Sequence, residues 1–428
     1  MRCTYACHGP EHTIGRRNFL GGMGVGLGTA LGFGNVMRSA AGDELQKQHK
    51  QILVVYLAGG ASQLETWDPK PGTDTGGPFR SIATSVPGTY ISELLPFTAR
   101  QMHHLAIIRS VNTKENDHGR GNYFMHTGRP KKPADEYPVL GSVAARYLTP
   151  DKSPLPGYIR ITPGGGGLAQ ADAAFLGPRY AGLNIGAGQA IANTARPAGL
   201  TPEGDAARNA LRKKLTDRFM RRRRTAMTEA YTYSYDQAAQ LMERSDLFDV
   251  TKEPQSEQDK YGPHDFGRHA LLARRLLESG VTYVEVAHRE YDTHYENFDF
   301  HIEQLGEFDK TFATLIDDLA ARGLLKTTLV VVMSEFGRTP TINANYGRDH
   351  WGMAWSVALS GCGIQPGAVI GKTNDNGTAV ADREVHAGHL FHTYLKAVGV
   401  DPTATFDLEG RTINIGDPSV SAIDELLA

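Results

Sequence analysis

Three short stretches carry residues able to bind a metal or move a proton. HREYDTHYENFDFH, His288 to His301, places Asp292 and His294 just beyond an apolar run. TLVVVMSEFGRTP, Thr328 to Pro340, ends a second apolar run in Ser334, Glu335 and Arg338. GRDHW, Gly347 to Trp351, sets Arg348, Asp349 and His350 in a loop ahead of the apolar AWSVAL. Carboxylate oxygens and imidazole nitrogens are the donors that zinc, manganese, iron and, for the oxygens, calcium accept. Asp292, His294, Glu335 and His350 are therefore the candidate ligands of one divalent ion. Arg338 and Arg348 carry guanidinium groups that can pair two oxygens of a phosphate or sulfate, or can tie loops down through backbone carbonyls; both readings stay open. His301 falls on the helix that follows and reads as a surface or packing residue.

These residues converge only if strands deliver them to one edge. ILVVYLAGG from Ile52, LAIIRSV from Leu105, VTYVEVAH from Val281 and TLVVVMSE from Thr328 are short apolar, β-branched runs closed by polar residues or glycine, the pattern of buried strands. Between the last two, Phe298, Ile302, Leu305, Phe308, Phe312, Leu315, Ile316 and Leu319 keep a helical period. A strand, helix, strand unit with near-continuous apolar strands implies a parallel sheet buried on both faces. The expected fold is doubly wound α/β, a mainly parallel sheet with helices on both sides, and such sheets bind ligands beyond the carboxyl ends of their strands. Residues from Pro154 to about Gly204 read as loops, and Gly164 to Gly167 lack the Gly-Lys-Ser/Thr continuation of a phosphate-binding loop. A helical insertion is expected at about 202–270, with Leu211, Leu215, Phe219 and Met220 at helical spacing and Arg221 to Arg224 as a solvated face or an anion patch.

EYDTH, VVVMSEFGRTPTIN, GRDHW and VVYLAGGASQLETWDPKPG together resemble a bacterial exported domain of unknown function within the alkaline phosphatase and sulfatase superfamily, over about Gln51 to the C-terminus. That resemblance implies an alkaline phosphatase-like fold, one or two divalent metals and cleavage of phosphate or sulfate esters. It places Glu335 where the superfamily has a metal-binding Asp, Asp292 and His294 in the preceding strand-end loop, and His350 as the later metal-binding His. DHGRGNYFMHTGRP, Asp117 to Pro130, is similar to the sulfatase segment whose nucleophile precedes Thr-Gly-Arg by nine residues, which selects His118 as nucleophile, general acid or further ligand. Two departures bear on a second metal: Phe336 stands where a His is usual, and Gly59-Gly60-Ala61 where an Asp follows the first strand. Asp68 and Asp117 are the available substitutes, and Ser62 and Ser110 are reserve nucleophiles. No Cys occupies the sulfatase nucleophile position.

The N-terminus reads as a twin-arginine export signal, residues 1–41: Arg16 and Arg17 in GRRNFL precede a glycine-rich, uncharged run and the small residues of RSAAG. The run is too short and too interrupted to favour a permanent membrane span. Residues 42–428 then form the folded domain, periplasmic or extracellular, with Cys362 as its sole cysteine and so no internal disulfide. With 428 residues and a net charge of -2, the chain has the bulk for a large core and no electrostatic footprint for nucleic acid. The expected activity is metal-dependent hydrolysis of an anionic small-molecule or polysaccharide ester. The rivals are a catalytically silent binding protein that keeps the fold, and a mutase or transferase acting on a phosphorylated small molecule.

Overall fold

Alternating side chains on a single strand define both layers of the core. In strand β1 (Gln51–Leu57), Leu53, Val55 and Leu57 enter one apolar cluster while Ile52, Val54 and Tyr56 enter another on the opposite face. The computed structural model describes residues 44–133, 136–151, 153–163, 167–186, 196, 198–220, 226–408 and 410–428. The export segment expected at 1–41, three of the glycines at 164–167 and Arg221 to Arg224 lie outside the described residues.

The sheet has nine strands. In chain order the others are β2 (Leu105–Val111), β3 (Tyr158–Ile161), β4 (Gly167–Ala169), β5 (Gly182–Ile185), β6 (Tyr283–His288), β7 (Thr328–Met333), β8 (Trp355–Gly361) and β9 (Val369–Ile370). Their spatial order is β9-β2-β8-β7-β1-β6-β3-β5-β4. Pairing is parallel except where β8 lies between β2 and β7 and where β4 pairs with β5. Helices cover both faces, so this is a doubly wound, mainly parallel α/β fold. One face carries α5 (Asp265–Glu278) and α6 (Asn297–Ala321). The other carries α1 (His118–Thr127), α2 (Leu140–Leu148) and α7 (Ala387–Ala397). The crossover from β6 through α6 to β7 passes over β1, which pairs with both strands.

Three strands fall where the sequence reads as loops, between Pro154 and Gly204: β3, β4 and β5. Each is three or four residues long. Runs that short show no periodicity of their own and are strands because β6 offers a free edge. Across the stretch expected as a helical insertion lie α3 (Pro202–Met220), α4 (Ala226–Glu243) and the short helix Gln255–Tyr261, ahead of α5 in the core. Leu211, Leu215 and Phe219 do share a helix, but their side chains are exposed. Among the described residues no helix is long and apolar enough to cross a membrane.

A buried polar network interrupts the apolar face under α1. Glu285 in β6 accepts hydrogen bonds from Tyr283 (3.1 Å) and Arg160 Nε (3.3 Å) and meets His126 Nε2 at 3.2 Å. Burial alone would raise its pKa, but the Arg160 guanidinium and His126 outweigh burial and draw it from 4.5 down to about 2. Because the folded value is the lower one, this stabilisation is complete above about pH 4.5 and fades as the pH falls toward 2. Glu285→Gln is expected to cost about 2 kcal/mol at neutral pH, because Arg160 would keep only Asp172, 2.9 Å away, and His126 would lose its carboxylate. Its denaturation midpoint should also fall less steeply than wild type between those pH values; parallel curves would remove Glu285 as the source of acid lability.

Candidate functional site

Strand polarity brings five chain segments to one edge. β1, β2, β6 and β7 all end there and β8 begins there, with Leu57 beside His288, Tyr56 beside Met333 and Val111 beside Trp355. The loop after β2 leads into α1, whose N-cap Asp117 accepts from Arg120 N–H and so fixes the helix start at His118. Asp292 and His294 follow β6, and Glu335 follows β7. His350 sits in a two-residue ribbon, His350–Trp351 against Gly337–Arg338, just ahead of β8. Close backbone approach makes this packing possible: a Cβ on Gly121 would lie 2.9 Å from the Glu335 carbonyl, and Gly59, at φ +116°, passes so near Asp292 N that a Cβ would stand 2.5 Å away.

Glu335 points inward. At 4% exposure its carboxylate meets His118 Nδ1 at 2.6 Å and accepts from Gly59 N–H at 3.0 Å on one oxygen, and from Tyr56 OH at 2.9 Å on the other. Burial would raise the Glu335 pKa, but the contact with His118, with Tyr56 behind it, holds the carboxyl below its ordinary value. The same Glu335 contact raises the His118 pKa against the effect of burial.

Three imidazoles repeat one arrangement. Nδ1 of His118 faces Glu335, Nδ1 of His294 faces Asp349 Oδ1 at 2.7 Å, and Nδ1 of His350 faces the Asn116 carbonyl at 2.7 Å. Each Nε2 turns toward Asp292, at 3.3, 3.1 and 3.1 Å for His118, His294 and His350. A carbonyl and a carboxylate can only accept, so Nδ1 of His350 and of His294 carries the hydrogen. Their Nε2 lone pairs then confront each other at 3.0 Å and both confront an anionic oxygen of Asp292. Three acceptors meeting at one point require positive charge between them, as a proton or as a cation. The donor set suits a cation: one ligand atom each from His118, Asp292 and His350 lies within 4.8 Å of the other two. His294 reaches His350 and Asp292 but stands outside that set, and Glu335 stands behind His118.

Most of the remaining candidates face inward; Asp117 is exposed. Phe336 is fully buried and its ring lies against His118 (centroids 4.9 Å apart) and His350 (4.5 Å), filling space beside the cluster with hydrocarbon. Arg338, also fully buried, donates to the carbonyls of Gly60 (2.8 Å), Arg348 (3.1 Å) and Gly59, and to Asp292 Oδ1 at 2.6 Å. It braces the β1 loop and fixes Asp292, whose pKa it pulls down to about 2 despite partial burial. Arg348 pairs with Glu65 at 2.8 Å, both wholly buried, and donates to the Thr75, Thr339 and Pro340 carbonyls. Both arginines thus occupy the loop-tying role that the sequence left open. Asp68 is held by Thr373 and Lys70, Asp117 caps α1, Ser62 is buried, and Ser110 donates to the Arg383 carbonyl. His301 is a packing residue, its Nε2 accepting from Ser62 N–H. Tyr56 and Asn116 contact Glu335 and His350 without any signal in the sequence, Tyr56 because it lies in an apolar strand run; Asp349, which the sequence sets beside His350 without a role, takes one as the partner of His294.

Fold and cluster together define a mainly parallel α/β protein with a histidine and carboxylate centre at its strand ends. The chain belongs to the family described as protein of unknown function (DUF1501), which matches residues 49–427. No curated protein is similar to it in sequence. Its backbone is similar to the lipoteichoic acid synthase LtaP from Listeria monocytogenes (TM-score 0.40, 7% identity, 89% of this chain and 80% of that chain). It is also similar to the PsFucS1 sulfatase from Pseudoalteromonas sp. (0.37, 12%, 85% and 72%) and to alkaline phosphatase from the Antarctic bacterium TAB5 (0.35, 13%, 82% and 98%). Likeness at this distance carries no argument about chemistry, which rests on the side chains described above.

Arg348→Ala should lower stability by about 3 to 5 kcal/mol in chemical denaturation, because Glu65 would be left charged and unpaired in the interior. A change under about 1 kcal/mol, the size expected of a solvent-facing ion pair, would contradict the bracing role.

Proposed function

We propose that this protein is an exported hydrolase of phosphate or sulfate esters that works with one divalent cation held by His118, Asp292 and His350. The observation that carries the reading is the shared arrangement of the imidazoles, each Nδ1 tied to an oxygen and each Nε2 turned toward Asp292. Metal-binding histidines show this pattern, since the outer hydrogen bond fixes tautomer and ring direction. Two imidazoles and one carboxylate favour zinc, iron or manganese over calcium, which takes oxygen ligands. A site with three protein ligands keeps a position for solvent or substrate, the mark of a catalytic centre. When bound, the cation supplies Lewis-acid polarisation of an ester oxygen and lowers the pKa of a water molecule.

The chain's own residues do the rest. Glu335 and the Asn116 carbonyl hold His118 and His350 with Nε2 facing the centre. Asp349 holds the Nδ1 hydrogen of His294, leaving Nε2, beside Asp292 and His350 on a partly exposed side chain, to take a proton from water or return one to the leaving group. Both nitrogens of His118 face carboxylates, so it serves as a ligand rather than as a nucleophile. Residues 1–41 as a twin-arginine signal, a periplasmic or extracellular location, and the helices between 202 and about 270 as an insertion within a domain of 42–428 belong to this proposal, as does an anionic small-molecule or polysaccharide ester as substrate.

A silent binding protein is the second reading. The specific support for it is that Arg338 and Arg348 are withdrawn and that Phe336 closes the space beside the cluster.

Elemental analysis of the purified protein with turnover assays on aryl phosphates and aryl sulfates separates the two. The hydrolase reading expects one metal equivalent, lost in Asp292→Asn and His350→Ala. It expects His294→Ala to keep the metal while turnover falls roughly 10²- to 10⁴-fold, the range for a lost general acid or base. Bound metal with no turnover of either ester class would support the binding protein, and no metal under any loading condition would remove the centre itself.

A further inference from the structure

Behind Glu335 lies a second layer of polar groups that the hydrolase reading does not use. Asn122, one turn along α1 from His118, donates Nδ2–H to Tyr56 OH at 2.9 Å. Tyr56 OH lies 2.9 Å from Glu335 Oε2, and Glu335 Oε1 lies 2.6 Å from His118 Nδ1. Because the hydroxyl receives the amide hydrogen, its own hydrogen is directed at Glu335. Tyr56 is buried at 6% exposure, and burial together with the neighbouring Glu335 charge keeps it neutral by raising its pKa.

We propose that Tyr56, oriented by Asn122, is a positioning residue: it fixes the rotation of the Glu335 carboxylate so that one oxygen meets His118 Nδ1 and Nε2 is presented to the cation. The inference rests on the single-metal reading above. Without the hydroxyl, the Oε2 side of the carboxylate keeps only Ser334 Oγ, 3.1 Å away, and that hydroxyl also donates to the Leu57 carbonyl. Oε1 still accepts from Gly59 N–H at 3.0 Å, but with Oε2 loosened the carboxylate can pivot about that oxygen, and the aim of His118 Nδ1 loosens with it. Asn122 sits on the same helix as His118, so one helical turn carries both the ligand and the group that orients its support.

The test compares the full chain with Tyr56→Phe and Asn122→Ala. Two readouts are needed: cobalt(II) affinity from its visible absorption, and the His118 Nδ1 proton resonance in metal-free protein carrying ¹⁵N-labelled histidine. The 2.6 Å contact with a carboxylate should place that proton far downfield in wild type. Tyr56→Phe is expected to shift or broaden it and to weaken cobalt binding roughly 10- to 100-fold, the usual loss for an outer-sphere partner. Asn122→Ala should move both readouts in the same direction by less, with thermal midpoints near wild type in each variant. An unchanged Nδ1 resonance in Tyr56→Phe overturns the inference, whatever happens to affinity. If wild type binds no cobalt, the metal reading fails, while the resonance still reports whether Tyr56 positions His118.

Discussion

A carboxylate buried at the end of a sheet sealed on both faces is the constraint around which this site is built. Removing an ionised carboxylate from water costs several kcal/mol unless donors replace the solvent. Glu335 meets that demand with groups from three elements: the Tyr56 hydroxyl of β1, the Gly59 amide after it, and His118 at the first residue of α1. The strand end, the loop after β1 and the start of α1 are thereby fixed relative to one another. Gly59 and Gly121 permit the approach, since a side chain at either would strike backbone.

From that anchor the exposed chemistry follows outward. Glu335 orients His118, His118 faces Asp292, and Asp292 is set from behind by Arg338, which also gathers the carbonyls of the β1 loop. His350 and His294 complete the ring from the other side, each with its outer nitrogen tied to an oxygen. The inner nitrogens and Asp292 then form a concentration of acceptors that positive charge must satisfy. Phe336, packed on two of the imidazoles, lines one side of that place with hydrocarbon.

Much of this was legible in the sequence because parallel sheets concentrate function at strand ends. The apolar runs ending at Leu57, Val111, His288 and Met333 mark strands, and Asp292, His294, Glu335 and His350 lie just beyond strand ends or ahead of the next strand. What the sequence could not convey is direction. Glu335 turns to the interior because Tyr56 and Gly59 wait there, and neither residue type advertises such a role. Arg338 and Arg348 are chemically fit to hold an anion, yet the loops around them expose carbonyls that claim the same hydrogens. Strands β3 to β5 escaped notice because their pattern belongs to the sheet edge they join, and the Leu211, Leu215 and Phe219 stripe reveals a helix without revealing that this face stays in solvent.

The central claim is that one cation is bound by imidazoles whose outer nitrogens are already committed, with Glu335 supporting from behind. Anomalous diffraction from crystals of the metal-loaded protein tests it most directly. The account predicts a single ion at about 2.0 to 2.2 Å from Nε2 of His118, Nε2 of His350 and an oxygen of Asp292, with Glu335 still on His118 Nδ1. An ion bound directly by Glu335, two ions, or density elsewhere on the sheet edge would contradict it.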